Sequence, residues 1–167
     1  VTGLFRWRGG QLVAKLGAEE AAVLRQLFTE SSELLQRPVN RDDPGPARLF
    51  PDVYPDSAEE SAEFRRFTES ELRAAKVEQA NLVLSRVPER GGEVRLTEEE
   101  ADGWLRALTD VRILLGTRLE VTDDTDPAAE LDAELRRDPA APRAAELAVY
   151  HYLTYIQESL VQSLAGW

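Results

Sequence analysis

The sequence predicts a mainly α-helical fold: a helical bundle with a small N-terminal antiparallel β-sheet, built from a hairpin plus one later strand. Three observations predict it. Two short alternating runs flank a Gly9-Gly10 pair near the start of the chain. Hydroxyl-x-x-Glu and Asp-Pro patterns, both helix-start signals, recur through the remainder. Two later segments carry apolar stripes at helical spacing.

In the first run Phe5 and Trp7 alternate with Arg6 and Arg8. Gly9-Gly10 suits a two-residue turn, because both central positions can take φ > 0. That register sets Trp7 opposite Leu12 and Phe5 opposite Ala14 on one apolar face, with Arg6, Arg8 and Lys15 on the other. A lone hairpin is marginal in water. Residues 93–96, after Gly91-Gly92, supply the candidate third strand.

A first helix is expected over residues 18–36, stopped by Pro38. Residues 37–56 form a Pro-rich connection, expected to be mobile near 38–48. Its second part, from Leu49 to Tyr54, is apolar enough to lie on the core. Ser57…Glu60, Thr68…Glu71 and Thr97…Glu100 read as capping boxes, so helices are expected at 58–67, 69–87 and 98–119. Asp126 followed by Pro127 starts another over 127–137, and the last spans 143–164. Trp104, Leu108, Val111, Leu115 and Leu119 make one stripe; Val149, Leu153, Ile156, Leu160 and Leu164 make a second. Helices this apolar belong in the middle of the bundle.

Composition sets the outer bounds. The chain has 167 residues and a formal charge of -11, which favours a single domain over 1–167. It contains no cysteine and one histidine. Disulfides, thiolate metal sites and thiol catalysis are therefore excluded from these residues. No apolar run nears the roughly 20 residues that span a bilayer, and residues 1–10 lack the apolar stretch of a signal peptide. A cytoplasmic protein is expected, with no cofactor and no metal. The acidic balance argues against broad nucleic-acid binding.

Candidate functional residues are few. Asp110, Arg112, Arg118, Gln157 and Glu158 are polar residues on the two most apolar helices. A charge placed there needs a partner, and an Arg112–Glu158 bridge between the helices would satisfy both. Such a cluster is either a pair that fixes register or the lining of a polar pocket or partner site. The run Glu120, Asp123, Asp124, Asp126 lacks the glycine and glutamate positions of a calcium loop and suits capping and solvation. His151 has no serine–aspartate constellation around it. Arg6, Arg8 and Lys15 are either a basic wing or the ordinary polar side of a half-buried strand. Tyr150, Tyr155 and Trp167 are the candidate contacts for a homodimer.

Three segments carry a family resemblance: Leu49-Phe50-Pro51-Asp52-Val53-Tyr54, the stretch from Trp104 to Leu119, and the stretch from Tyr150 to Val161. Together they resemble an actinobacterial family of unknown function that includes the AosR-like oxidative-stress regulators. The resemblance implies a non-enzymatic regulatory protein of the stress response, working in transcription through a protein partner such as a sigma factor. It singles out Asp110, Arg112, Arg118 and Glu158, with Phe50, Asp52 and Tyr54 from the first segment. The regulators of this family are expected to sense oxidation through an N-terminal cysteine pair. Either this member does not sense through thiols, or residues upstream of Val1 carry them. Two other readings stay open: a ligand-binding or enzymatic domain using an inter-helix polar pocket, and a regulator that binds DNA directly.

Overall fold

The computed structural model describes residues 3–51 and 57–166. The element order is β1 (Arg6–Arg8), β2 (Gln11–Leu16), α1 (Ala18–Leu35), α2 (Pro44–Leu49), α3 (Ala58–Arg86), β3 (Gly92–Leu96), α4 (Glu98–Arg118), α5 (Pro127–Arg137) and α6 (Pro142–Leu164). The fold is the expected helical assembly with a three-stranded antiparallel sheet in the order β1-β2-β3.

Gly9 and Gly10 make the turn with φ of +56° and +79°, values that glycine adopts without strain. Trp7 pairs with Leu12, and β3 pairs with β2 through Leu12–Leu96 and Ala14–Val94. The inner face therefore presents Phe5, Leu12, Ala14, Leu16, Val94 and Leu96, all buried in one core with α1, α3, α4 and α6. Trp7 departs from its expected place: its register is as predicted, yet it remains 43% exposed. Strand β1 is only three residues long. At its end the indole lies over the end of α6, and Nε1 donates to the Ser163 carbonyl at 2.8 Å. The segment before β1 is held by α6 as well. The Phe5 N–H donates to Ser159 Oγ at 2.8 Å, and Ser163 Oγ donates to the Phe5 carbonyl at 3.1 Å. The first of these bonds gives the buried Ser159 hydroxyl its partner.

The two helices expected at 58–67 and 69–87 are one continuous helix, α3, of 29 residues. The Ser57 hydroxyl caps it as expected, accepting from the Glu60 N–H at 3.2 Å. Thr68 falls in its interior. No glycine or proline interrupts residues 58–86, so nothing in the backbone forces a break. At about 1.5 Å per residue the helix is roughly 43 Å long. Its last turn is tied to α1: Arg25 Nη1 donates to the carbonyls of Leu84 and Val87 at 3.0 and 2.9 Å. A cation at a helix C-terminus also opposes the helix dipole favourably.

The connection expected to be mobile holds a short helix, α2, started by the Asp43 carboxylate and Pro44 at its first position. Its last residue, Leu49, and the next, Phe50, join Leu35 in a second buried cluster, so this part of the connection does lie on the core. Asp52 and Tyr54 fall outside the described residues.

The α4 stripe is buried along its length, from Trp104 through Leu108, Val111 and Leu115 to Leu119. The α6 stripe is buried at Leu153, Ile156 and Leu160 and extended by Leu147, while Val149 and Leu164 are only partly covered. Thr97 and Glu100 close the capping box that starts α4. Asp126 caps α5, accepting from the N–H groups of Ala128 and Ala129 at 3.1 and 3.2 Å. No helix among the described residues is long and apolar enough to cross a membrane.

The end of α4 carries a local strain. Glu120 has φ of +60°. The Val121 N–H reaches back to the Gly116 carbonyl at 2.8 Å and the Glu120 N–H to Thr117 at 3.1 Å. This is the glycine-type helix stop with a glutamate in the left-handed position. Glu120→Gly is expected to raise stability by about 0.5–1 kcal/mol. Urea denaturation followed by circular dichroism checks this, and a fall in the midpoint would contradict it.

Candidate functional site

The sequence-derived candidates separate in space, and each finds its own partner. Asp110 faces α3, where Lys76 Nζ approaches its Oδ1 to 2.9 Å. Both side chains are nearly covered, at 15% and 10% exposure for Lys76 and Asp110. Burial pushes the Asp110 carboxyl above the usual carboxylate range, more strongly than the Lys76 ammonium pulls it down. Arg118 is exposed and meets Glu146 of α6 at 3.5 Å. Glu158 faces solvent. Phe50 is buried, with the Arg73 guanidinium 5.9 Å from its ring centroid and its carbonyl accepting from Arg41.

Arg112 does cross to α6, but to Gln157 and not to Glu158: its Nη1 donates to Gln157 Oε1. Residue 157 flanks the buried stripe, four positions after Leu153 and three before Leu160. Residue 158 is turned a further ~100° away. Tyr150 stands seven positions before Gln157, on the same side of α6. The Arg112 guanidinium lies 5.3 Å from the Tyr150 ring centroid, with Nη2 3.5 Å from its hydroxyl. Gln157 is itself fixed, because its Nε2 donates to Thr109 Oγ1 at 2.8 Å. The facing row on α4 is thus Thr109, Arg112 and Gly116. Gly116 allows the close approach of Tyr150: a Cβ at this position would sit 3.1 Å from Tyr150 Cε2, tighter than ordinary van der Waals contact.

These rows wall a depression of about 510 Å³. Arg48 of α2 closes another side, donating to Thr117 Oγ1 at 3.1 Å. Ile113, Val121, Thr122 and Asp123 complete the lining. Sequence reasoning singled out Arg112 and Gln157 but missed Arg48 and Thr109. The Thr109/Arg112/Gly116 spacing was the available signal for one wall; nothing local marks Arg48.

A second groove of about 300 Å³ runs between α1, α2 and α4. Leu27, Leu34, Val111 and Leu114 form its apolar part, with Glu30, Asp43 and Arg118 among its charged lining. On the outer face of the sheet Arg6, Val13 and Arg95 lie in one row, and Lys15 sits beside Glu93. Arg95 is neutralised by Glu93 at 2.5 Å. His151 and Tyr155 are exposed on α6, Tyr150 is packed on Gly116, and Trp167 lies outside the described residues. Tyr152 is partly buried and donates to Glu20, and burial together with that carboxylate pushes its phenol up. Among the described residues no group of three histidine or acidic side chains is placed to hold a metal ion.

The family model described as "Domain of unknown function (DUF2017)" matches residues 2–164. The chain belongs to the DUF2017 family. Proteins named "Oxidative stress regulator AosR" from Mycobacterium bovis and from two strains of Mycobacterium tuberculosis, CDC 1551 and H37Rv, are each 35% identical to it over 144 residues. The match covers 78% of this chain and 61% of each relative. The chain thus spans about three fifths of the length of the curated relatives it matches. No solved structure matches it. This DUF2017 member has no cysteine in its 167 residues, so any response to oxidation carried by these residues uses no thiol of their own.

Proposed function

We propose that this DUF2017 protein is a non-enzymatic regulator in the cytoplasmic oxidative-stress response, acting in transcription through contact with a protein partner such as a sigma factor. The observation that carries this reading is the 35% identity, over 144 residues, to proteins named as oxidative-stress regulators. The chemistry of the interior is consistent with it. The buried carboxylate Asp110 is committed to Lys76, and the partly buried phenol Tyr152 to Glu20. These contacts join helices to one another and leave neither group poised for proton transfer to a substrate. An apolar groove lined in part by charges, as between α1, α2 and α4, has the anatomy of a protein-contact surface. Direct DNA contact would fall to the sheet face of Arg6, Arg8 and Lys15, against a total charge of -11, and is expected to contribute little at physiological salt.

Deletion of the gene in its host tests the regulatory role. Peroxide-induced transcripts should lose part of their induction, and expression of this chain should restore it. An unchanged transcript profile under peroxide would contradict the reading.

A further inference from the structure

We propose that the depression between α2, α4 and α6 is a binding site for a small organic anion, one bearing a carboxylate or phosphate group on a compact apolar body. This inference goes beyond the regulatory reading and does not depend on it.

The first observation is charge. Arg48 and Arg112 both line the depression, and neither has a carboxylate within ion-pair distance among the described residues. Arg112 is half-buried, and its partners are all neutral: the Gln157 carbonyl oxygen, the Tyr150 hydroxyl and the Tyr150 ring. Lys76, by contrast, has Asp110, and Arg143 has Glu130 at 2.7 Å, while the part-buried Arg25 is taken up by two carbonyls at the end of α3 and, among the described residues, faces no cavity shared with a second arginine. In a chain with 31 acidic residues against 20 lysines and arginines, two arginines left without a counter-ion in one concavity stand out. A half-buried guanidinium is stabilised by a bidentate anion in a way that neutral partners do not match.

The second observation is preorganisation. Leu105, Thr109, Gln157 and Arg112 form a relay of fixed groups. The Thr109 hydroxyl donates to the Leu105 carbonyl at 2.8 Å and accepts from Gln157, and Gln157 accepts from Arg112. Tyr150 backs the guanidinium and is seated on Gly116. Arg48 is steadied by Thr117. Little side-chain freedom is left to lose when an anion arrives. The volume of about 510 Å³ lies within the ordinary range for small-molecule sites. Ile113 and Val121 supply the apolar contact, which sets the preference for an anion with a carbon body. Asp123 is the one carboxylate in the lining, and it opposes a second negative charge on the ligand.

Titration of the full chain with benzoate, phenyl phosphate and inorganic phosphate, followed by ¹H–¹⁵N NMR, tests this. Sodium chloride at matched ionic strength serves as the reference. The Arg112 Nε–H is solvent-shielded and has no protein acceptor, so it is a direct reporter. Saturable shifts are expected at Arg112, Gly116 and Thr117, tighter for the two aromatic probes than for inorganic phosphate. Comparison of benzoate with phenyl phosphate distinguishes the carboxylate from the phosphate head group. Arg48→Gln, at an exposed position, and Arg112→Gln should each weaken binding by about tenfold or more, the loss of a charge-assisted contact. Asp123→Asn should tighten it by roughly two- to fivefold. The proposal is overturned if no probe gives a saturable shift beyond that of sodium chloride, or if both arginine variants bind as the parent does.

Discussion

Trp104→Ala should destabilise the protein by about 3–5 kcal/mol, the range for removing a large aromatic side chain from a core. Trp104 is 1% exposed, and the Phe5 ring meets it edge-on at 5.8 Å with an interplanar angle of 79°. The indole therefore joins α4 to the segment that leads into the sheet. Truncation removes that contact and opens a void between sheet and helix, which the close-packed interior cannot fill without moving β1. Against a total stability of roughly 5–15 kcal/mol, the loss is large enough to lower the melting temperature by about 10 °C. Trp104→Phe is the informative companion. The indole Nε1 is buried with no hydrogen-bond partner, so phenylalanine retains most of the ring and removes an unsatisfied donor. Its cost should stay under about 1.5 kcal/mol. Urea denaturation of both variants, followed by circular dichroism, checks the pair. Equal losses would show that the ring itself is not what joins the two layers.

The second large effect concerns Lys76 and Asp110. Breaking a buried ion pair costs more than forming it gains, because the surviving charge stays desolvated. Lys76→Met should therefore lose about 2–4 kcal/mol at pH 7. The loss carries a pH signature whose sign is set by burial. The Asp110 carboxyl is already pushed up in the folded protein, and without the ammonium beside it the push is unopposed. Between its unfolded and folded pKa values the folded state holds more protons than the unfolded chain, so stability rises as pH falls through that window. The Lys76→Met defect should thus be smaller at pH 5 than at pH 7. Lys76→Met combined with Asp110→Leu removes both charges. It should return stability to within about 1 kcal/mol of the parent or above it, with the added pH slope gone. Denaturant midpoints at the two pH values decide the matter, and a single-variant defect of equal size at both would contradict it.

Much of this fold was legible because its boundaries are local chemistry. Asp126-Pro127, the Thr97…Glu100 box and Ser57 mark helix starts by groups that act within one turn. The hairpin register follows from one glycine pair and period-two alternation. Helix α2 was hidden by its Pro-Gly-Pro composition, although Asp43-Pro44 is the same start signal as Asp126-Pro127. Thr68 misled in the opposite direction. A hydroxyl three residues before a glutamate caps a helix only where the backbone already turns, and α3 runs straight through it. The charge pairs were the least legible part. Sequence fixes which residues share a face of one helix, but the rotational phase between two helices is set by how their apolar stripes interlock. That phase sends Arg112 to Gln157, leaves Glu158 in solvent and gives Asp110 to a lysine of α3. Arg48 reaches the same site from α2, a placement that only the tertiary fold creates.

The proposed contact between this DUF2017 protein and the transcription machinery is tested most closely by direct binding. The purified full chain, immobilised on a biosensor, is presented in turn with each purified sigma factor of its host and with core RNA polymerase. Saturable binding to one of them is predicted, at concentrations where unrelated acidic proteins give no signal. Absence of saturable binding to every sigma factor and to the core enzyme, with the chain folded by circular dichroism, would contradict it.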